Sequence, residues 1–333
     1  MKRVFLVSIL SCIISIIIPL ISGVKPQAEE IEMEITKETE KPQETPALSE
    51  ITSRISDKET NVKVLQDGKI TEKSLEEHLP FVLASEMPVS FEKEALKAQA
   101  VAARTYIMYC KDHKNPKHED ADICCDSGCC LACLRENELR GAWGKDFDNN
   151  MEIVKAAVKE TDGQVMYYED EPILASFHSS SAGMTEDGAE LWGAVPYLSS
   201  VPSPETENDV PDYVTRVEVS PKDFKESILF YKSEADFSAS CENWIGETDR
   251  DKSGRVRTQI VAGVTLTGSE LRSLFTLRST AFTIEYKDGA FVFTVTGFGH
   301  GLGLSQYGAN VMAKNGFDYS EIVSHYYPNA NLG

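Results

Sequence analysis

A glutamate in a short turn-like motif is the first candidate for chemistry. Glu86 stands in the run Ser85-Glu86-Met87-Pro88, between an apolar, strand-like run at 74–84 and the start of a helix. A carboxyl group that is partly removed from water has a raised pKa, which suits a general acid near neutral pH. A surface turn glutamate, or one that interacts with a helix dipole, fits the same position. Glu86 is therefore a candidate acid, with an ordinary structural role as the alternative.

Two cations follow on the next helix. Lys97 and Arg104 are seven residues apart, so they project from nearly the same helix face, two turns from each other. A few placed cations could hold a carboxylate. A solvated helix face, with Lys97 paired to Glu94 three residues before it, explains the same pattern.

The cysteines form a dense cluster. Six of the eight lie between Cys110 and Cys133, and they are interleaved with His113 and His118: Cys110, Cys124, Cys125, Cys129, Cys130 and Cys133. Disulfides are the default outside the cytoplasm. Adjacent pairs such as Cys124-Cys125 also suit thiolate and imidazole ligands around a tetrahedral zinc, which would be structural if four protein ligands filled it. Both interpretations stay open.

Two polar clusters complete the candidates. The run from His178 to Thr185 ends a predicted strand in small, hydrogen-bonding residues, and the run from Gly297 to Ala309 alternates glycine along a loop that opens a helix. The glycine run fits neither a dinucleotide fingerprint nor a phosphate loop. Its Ser, His, Gln and Tyr donors suit neutral, hydroxyl-rich ligands such as sugars. A tightly packed glycine corner with one satisfied histidine is the alternative.

The elements that must position these groups indicate a mixed α+β fold, without a regular βαβ alternation. We predict a helix over 91–110, because this run is rich in Ala and lacks Gly and Pro, with Ser90 as its N-cap. Further helices are predicted at 148–161, 305–314 and 319–326, and strands within 164–178 and at 213–219, 256–267 and 281–296, the last a hairpin through Lys287-Asp288-Gly289.

Charge and the N-terminal segment limit the kind of protein. A formal net charge of -20 argues against a nucleic-acid partner. Lys2-Arg3 and the uncharged run 4–24 predict a transmembrane anchor with residues 1–3 in the cytoplasm, since 21 residues of helix span about 31 Å. A cleaved signal peptide is the alternative. Residues 25–60 carry ten acidic and five basic side chains and no aromatic residue, which predicts a flexible stalk before a domain at 61–333.

Six motifs occur in a characteristic order: Ala84-Ser85-Glu86-Met87-Pro88, the run from Glu94 to Tyr106, the run from His178 to Thr185, Leu191-Trp192-Gly193, the run from Leu277 to Phe282, and the run from His300 to Ala309. In these motifs the chain resembles the SpoIID/LytB family over roughly residues 74–327. The first and last motifs are the most specific. The predicted anchor and stalk also resemble sporulation members of the family.

The resemblance implies a lytic transglycosylase that cuts peptidoglycan glycan strands between N-acetylmuramic acid and N-acetylglucosamine, preferring strands stripped of stem peptides. It implies Glu86 as the catalytic acid, with Lys97 and Arg104 as the lysine and arginine of the following helix. We expect a two-lobed domain with a central cleft that is lined by candidate sugar-binding residues: His178, Ser179, Ser180, Thr185, Tyr197, His300, Ser305, Gln306 and Tyr307.

Some family members carry a zinc insert, which the resemblance places here at 110–133. The implied ligands are His118, Cys124, Cys129 and Cys130, with Cys129 where the family pattern has His and with Cys125 or Cys133 as substitutes. Another departure is Ser199, where some members have a lysine two places after the tyrosine that corresponds to Tyr197.

The resemblance also implies a setting. The expected location is the mother-cell membrane of an endospore former, with the catalytic domain facing the intermembrane space during engulfment. The expected partners are stage II sporulation proteins M and P, the latter an amidase. Two other functions stay open: a non-catalytic glycan-binding enhancer of an amidase, as LytB-type relatives are described, and a zinc amidase whose metal is catalytic.

Overall fold

The computed structural model describes residues 60–189 and 195–333. The predicted cytoplasmic tip, anchor and stalk lie outside the described residues, apart from Thr60, and so does the motif Leu191-Trp192-Gly193. In the described part of the chain no helix combines the length and apolar character that a membrane crossing requires. Helices and strands are mixed along the chain, so the predicted α+β class is confirmed.

Eight helices have described bounds: α1 (Leu75–Glu86), α2 (Lys93–Asp112), α3 (Glu136–Trp143), α4 (Phe147–Glu160), α5 (Pro221–Tyr231), α6 (Gly268–Leu274), α7 (Gln306–Lys314) and α8 (Tyr319–Tyr326). The strands are β1 (Asn61–Gln66), β2 (Lys69–Ser74), β3 (Ile123–Cys124), β4 (Met166–Tyr168), β5 (Glu171–Pro172), β6 (Phe177–His178), β7 (Val214–Val219), β8 (Ile245–Arg250), β9 (Val256–Val261), β10 (Val264–Thr267), β11 (Phe282–Lys287), β12 (Ala290–Thr296), β13 (Leu304–Ser305) and β14 (Asn331–Leu332).

The first hydrophobic core surrounds α2. Its buried alanines, Ala95, Ala98 and Ala100 to Ala103 among them, let α1, α4, α7 and α8 approach the helix closely because their side chains are short. The helix predicted over 91–110 is therefore confirmed, although it begins later. Glu92 occupies the N-cap position and Ser90 does not.

The apolar run at 74–84 is helical, so its strand-like interpretation was wrong. Leu75, Leu79, Val82 and Leu83 are buried at the spacing of one helix face and form part of the first core. The short run with Pro80 inside it concealed this period. The helix ends at Glu86, and Met87 is extended before Pro88, as the proline predicts.

The second hydrophobic core is built from residues between 217 and 295. Two antiparallel three-stranded sheets, in the orders β11-β12-β7 and β10-β9-β8, and helices α5 and α6 contribute to it. Phe224 of α5 stacks on Phe291, with 4.1 Å between the ring centroids. The predicted β11–β12 hairpin is confirmed, and Asp288 and Gly289 at its turn have the positive φ that such a turn requires.

A short parallel pair joins the two polar loops. β6 pairs with β13, so that Phe177 lies opposite Leu304 and His178 opposite Ser305. The loops approach so closely that a Cβ at Gly299 would lie 2.7 Å from the Cβ of His178, and one at Gly303 would lie 2.1 Å from the Ser176 carbonyl. Glycine is required here because two backbones must pass with no side chain between them.

Candidate functional site

Glu86 is the last residue of α1, and its carboxyl group faces the cysteine-rich insert. The backbone N–H of Ala132 donates a hydrogen bond to Glu86 Oε1. Burial raises the pKa of Glu86 to about 7, and the hydrogen bond from Ala132, which favours the ionised form, opposes part of this rise. A carboxyl group with this pKa is protonated in about half of the molecules at neutral pH, so it can donate a proton there.

An amide relay lies behind Glu86. Gln306 Nε2, at the first residue of α7, donates to the Glu86 carbonyl oxygen at 3.0 Å and to Gln99 Oε1 at 3.5 Å. Gln99 is fully buried on α2. Sequence reasoning missed Gln99; the available signal was an amide amid the alanines of the predicted core helix. The relay brings the glycine-rich run to the end of α1.

Residues 132–134 of the cysteine-rich insert, which we call the strap, lie across the end of α1. Beside the Ala132 bond, the Leu134 N–H donates to Ser85 Oγ at 2.7 Å, and Ser85 in turn donates to the Phe81 carbonyl at 2.6 Å. A disulfide joins Cys125 to Cys133, next to Ala132. The strap is therefore held covalently beside the residue that contacts the Glu86 carboxyl.

A four-residue cluster occupies the other side of the insert. His118, Cys124, Cys129 and Cys130 each offer one ligand atom, and these atoms all lie within 4.8 Å of one another. His118 Nδ1 lies 3.3 Å from the Ala121 carbonyl, which leaves Nε2 facing Cys130 Sγ at 3.1 Å. These are the four residues that the family resemblance implied as ligands, and metal binding stays a prediction.

The disulfide changes the choice between metal and disulfides. Cys125 and Cys133 are bonded to each other, so neither can supply a thiolate, and their predicted role as substitute ligands was wrong. The insert therefore contains one disulfide beside a cluster of four candidate ligands. A hollow of about 460 Å³ opens beside the four-residue cluster, lined by Gln66, Cys129 and Arg135 among others, and Glu86 is not among its lining residues.

Lys97 lies in a charged network between helices, and its side chain is only 11% exposed, so the alternative of a solvated helix face was wrong. Its ammonium group is 3.0 Å from Glu94 and 3.7 Å from Glu160, and it stands 4.2 Å from the ring centre of Tyr319. The predicted pairing with Glu94 is therefore confirmed. The network connects α2, α4 and α8.

Arg104 is 1% exposed and forms a two-pronged ion pair with Glu76, with Nε–Oε1 at 2.7 Å and Nη2–Oε2 at 2.8 Å. It also donates to the Val158 carbonyl at 3.2 Å and the Gln164 carbonyl at 3.3 Å. Glu76 precedes Glu86 by ten residues, which is about 15 Å along α1. Arg104 therefore ties the beginning of α1 to the end of α4, and the groups that it contacts differ from those around Glu86.

Behind the paired loops, the buried carboxylate of Glu205 accepts hydrogen bonds from three serines. Glu205 accepts hydrogen bonds from Ser305 Oγ, from the Ser181 N–H at 2.6 Å and from Ser203 Oγ at 2.6 Å. Burial raises the pKa of Glu205, and these donors counter the rise. Sequence reasoning missed Glu205, which lies in a proline-rich loop. Ser305 is thus engaged within the protein, as the N-cap of α7.

The two histidines of the loops are neutral at pH 7. His178 donates from Nδ1 to the Leu302 carbonyl at 3.1 Å and accepts from Ser181 Oγ at 2.8 Å. Burial lowers the pKa of His178 well below its usual value and lowers that of His300 to about 4, with the positive charge of Arg272 adding to the effect at His300. The ring centres are 5.7 Å apart. Both side chains suit hydrogen bonding better than proton transfer.

The other predicted sugar-binding residues are distributed around these loops. Ser180 pairs through its backbone with Phe298, and the Ser179 carbonyl accepts the Tyr307 N–H at 3.0 Å. Thr185 is buried and accepts from the Val201 N–H at 2.9 Å. Tyr197 lies apart from them, with its hydroxyl 3.4 Å from the Leu174 N–H. Serines 179 and 180, His300, Ser305, Gln306 and Tyr307 are thus brought together, and Tyr197 is not.

A buried ion pair lies under the glycine loop. Arg255 Nε stands 3.8 Å from Glu186 Oε2, and both side chains are almost completely enclosed. Burial, together with a hydrogen bond to Asp251, raises the pKa of Glu186 to about 8 in spite of Arg255. A Cβ at Gly301 would lie 2.5 Å from the centre of the guanidinium. The pair was missed from the sequence because its members are 69 residues apart.

Comparison with known proteins identifies a family that this chain resembles. The model of the SpoIID family, described as stage II sporulation protein, matches residues 66–168. Stage II sporulation protein D of Bacillus amyloliquefaciens is 36% identical over 263 residues, which cover 78% of this chain and 74% of the relative. The Bacillus subtilis protein of the same name is 35% identical over the same shares.

A more distant similarity concerns the Bacillus subtilis protein named amidase enhancer. It is 26% identical over 302 residues, which cover 75% of this chain and 39% of the relative. The two stage II sporulation proteins D carry the assignment, since each exceeds 30% identity over most of both chains. The chain therefore belongs to the SpoIID family of sporulation proteins.

Proposed function

We propose that this chain is a lytic transglycosylase that cleaves the bond between N-acetylmuramic acid and N-acetylglucosamine in peptide-stripped glycan strands of septal peptidoglycan. The observation that carries the proposal is Glu86, a carboxyl group with a pKa of about 7 that is held by the Ala132 N–H at the end of a core helix. The histidine- and glycine-rich loops that reach it through Gln306 supply the polar groups for sugars.

The proposed reaction needs one carboxyl group. Glu86 donates its proton to the bridging oxygen as the bond from muramic C1 to that oxygen breaks, and N-acetylglucosamine leaves with a new hydroxyl. The resulting carboxylate accepts the proton of the muramic C6 hydroxyl while that oxygen bonds to C1, which forms the 1,6-anhydro ring. No water is consumed, so the second carboxylate of a hydrolase is not required.

In this proposal the polar loops form one wall of a cleft between the two cores. Gln306 fixes the backbone of Glu86, whereas Tyr307 and the exposed part of His300 face the bound glycan strand. His178 and Ser180 act indirectly, because their hydrogen bonds hold the two loops together. Thr185 and Ser305 also act indirectly, by anchoring the loops to the segment that contains Val201 and Glu205. Lys97 likewise supports the packing of α2 against α4 and α8, and Arg104 supports that of α1 and α2 against α4.

We further propose that His118, Cys124, Cys129 and Cys130 hold a structural zinc ion. Three thiolates and one imidazole match the ligands that zinc prefers, and four protein donors leave no position for a catalytic water. When bound, the ion would cross-link the insert and so help to keep Ala132 against Glu86. A zinc amidase is disfavoured for the same reason.

The proposed setting is the mother-cell membrane of an endospore former, with residues 4–24 as a single anchor and the catalytic domain facing the intermembrane space. The proposed partners are stage II sporulation proteins M and P, the latter an amidase that would strip peptides from the strands. Support comes from membership of the SpoIID family and from the apolar run at the start of the sequence.

The alternative is a non-catalytic, glycan-binding enhancer of an amidase, which the similarity to the amidase enhancer favours. Mass spectrometry of a digest of peptide-free glycan strands separates the two. The lyase yields 1,6-anhydro ends, whereas an enhancer by itself yields no cleavage product; reducing ends would instead indicate a hydrolase. We expect the Glu86→Gln variant to lose about 10²- to 10⁴-fold in rate while keeping its fold. Wild-type protein that yields no product without an amidase would establish the enhancer instead.

A further inference from the structure

An exposed aromatic ring stands on the glycine-rich run. Phe298 lies between Gly297 and Gly299, and 43% of its surface is exposed, although it belongs to a tightly packed loop. Its backbone is fixed by two hydrogen bonds with Ser180, at 2.9 and 3.0 Å. A rigid backbone that presents an exposed ring is the arrangement by which proteins stack an aromatic side chain on the apolar face of a ligand.

A guanidinium group lies against this ring. The Cζ atom of Arg278 is 4.4 Å from the ring centre of Phe298, and the Arg278 side chain is 29% exposed. Its Nη1 donates to the Asp212 carbonyl at 3.1 Å, but the Asp212 carboxylate is 4.0 Å away and more than half exposed. Arg278 Nε has no hydrogen-bond partner among the described residues. The positive charge is therefore incompletely neutralised.

The pair is connected to Glu86 through adjacent contacts. Phe298 is hydrogen-bonded to Ser180, and the neighbouring Ser179 accepts the N–H of Tyr307, which follows Gln306, the residue that contacts the Glu86 backbone. Burial raises the pKa of Tyr307, and the charge of Arg278 is close enough to offset part of the rise. The ring and the cation thus lie along the same loop surface that reaches the candidate acid.

We propose that Phe298 and Arg278 form a subsite for a muramic acid residue whose lactyl carboxylate is free. This inference rests on the proposed function. The ring would pack on the sugar, and the guanidinium would pair with the carboxylate, for which Arg has the matching planar donors. A stem peptide converts that carboxylate into a neutral amide. The subsite would therefore distinguish peptide-free from peptide-bearing strands.

The test measures equilibrium binding in a Glu86→Gln background, so that strands are not cut. Three probes are compared: peptide-free glycan strands, peptide-bearing strands, and a neutral chitin oligosaccharide. We expect Arg278→Gln to weaken binding of the peptide-free strands about tenfold and to leave the other two nearly unchanged. Arg278→Lys should restore part of the loss. Phe298→Ala should weaken all three probes, because stacking does not depend on the carboxylate.

Two matched controls exist on the same chain. Arg140 stands 3.9 Å from the ring centre of Phe147, and Phe230 is 92% exposed. Arg140→Gln and Phe230→Ala should not change the ratio between peptide-free and peptide-bearing strands. Equal loss on all three probes in Arg278→Gln, or no loss, would overturn the subsite. If the protein binds peptide-free strands in preference to peptide-bearing strands, but the wild type releases no anhydro products, the subsite is supported and the proposed lyase activity is refuted.

Discussion

The backbone N–H of Ala132 should set the pH range in which Glu86 acts as an acid. Ala132→Pro removes this donor from the Glu86 carboxylate. A hydrogen bond to a charged group contributes about 1.5–3 kcal/mol, and about 1.4 kcal/mol corresponds to one pKa unit. The hydrogen bond lowers the pKa of Glu86 against the effect of burial. Its loss should therefore raise this pKa by about one to two units.

The assay is the rate of anhydro-end formation on peptide-free strands as a function of pH. The acid form of Glu86 is the active one, so the rate of the wild type should fall as pH rises through about 7. In Ala132→Pro this alkaline limb should lie about one to two units higher.

Leu134→Pro is the matched control for this prediction. It removes another N–H of the same strap, one that donates to the uncharged Ser85 hydroxyl. We expect it to leave the alkaline limb in place. The reasoning is refuted if the limb stays put in Ala132→Pro, or if both variants move it equally.

Three further predictions concern stability and metal content. Arg104→Met should lower the free energy of unfolding by about 3 kcal/mol in urea titrations, because it leaves Glu76 and the carbonyls of Val158 and Gln164 without their donor. A loss of reaction rate with unchanged stability would contradict this structural role of Arg104. The pKa of Glu186 is raised from 4.5 to about 8, so between these pH values the folded protein holds a proton that the unfolded chain has lost. The stability that this group contributes should therefore be complete below about pH 4.5 and be lost as pH rises towards 8. Denaturant titrations at several pH values should show a weaker dependence of stability on pH in Glu186→Gln. Elemental analysis should find one zinc per chain in wild type and in Cys110→Ser but not in Cys129→Ser, and equal zinc in both variants would contradict the ligand set.

The sequence predicted helices and strands with a clear local signal and missed those whose local signal is weak. α2 was predicted because twenty residues of uninterrupted helix formers leave little competition, and the β11–β12 hairpin because Asp288-Gly289 favours one turn type. α1 was misread since Pro80 and a short apolar run obscure the helical period. α3, α5, α6 and the β1–β2 hairpin were not anticipated.

The candidate site divides in the same way. Glu86 was noticed by its position between two elements and the cysteines by their density, and the family resemblance then singled out Glu86 as the acid and four residues as ligands. The strap was missed, because Ala132 contributes only a backbone N–H, which no residue type signals. Glu205 and Arg255 were missed because they acquire partners only when distant loops meet.

The pairing of β6 with β13 also fixes an order of assembly. Residues 177–178 meet residues 304–305 across 127 positions, whereas the sheets of the second core close within residues 214–296. During synthesis, the middle segment has all its strands by residue 296, before α7 (Gln306–Lys314) and α8 (Tyr319–Tyr326) are added to the first core. We expect a chain that stops near residue 300 to contain a folded middle segment, while Glu86 still lacks its contact with Gln306; the surface around this residue is completed only when α7 joins the first core.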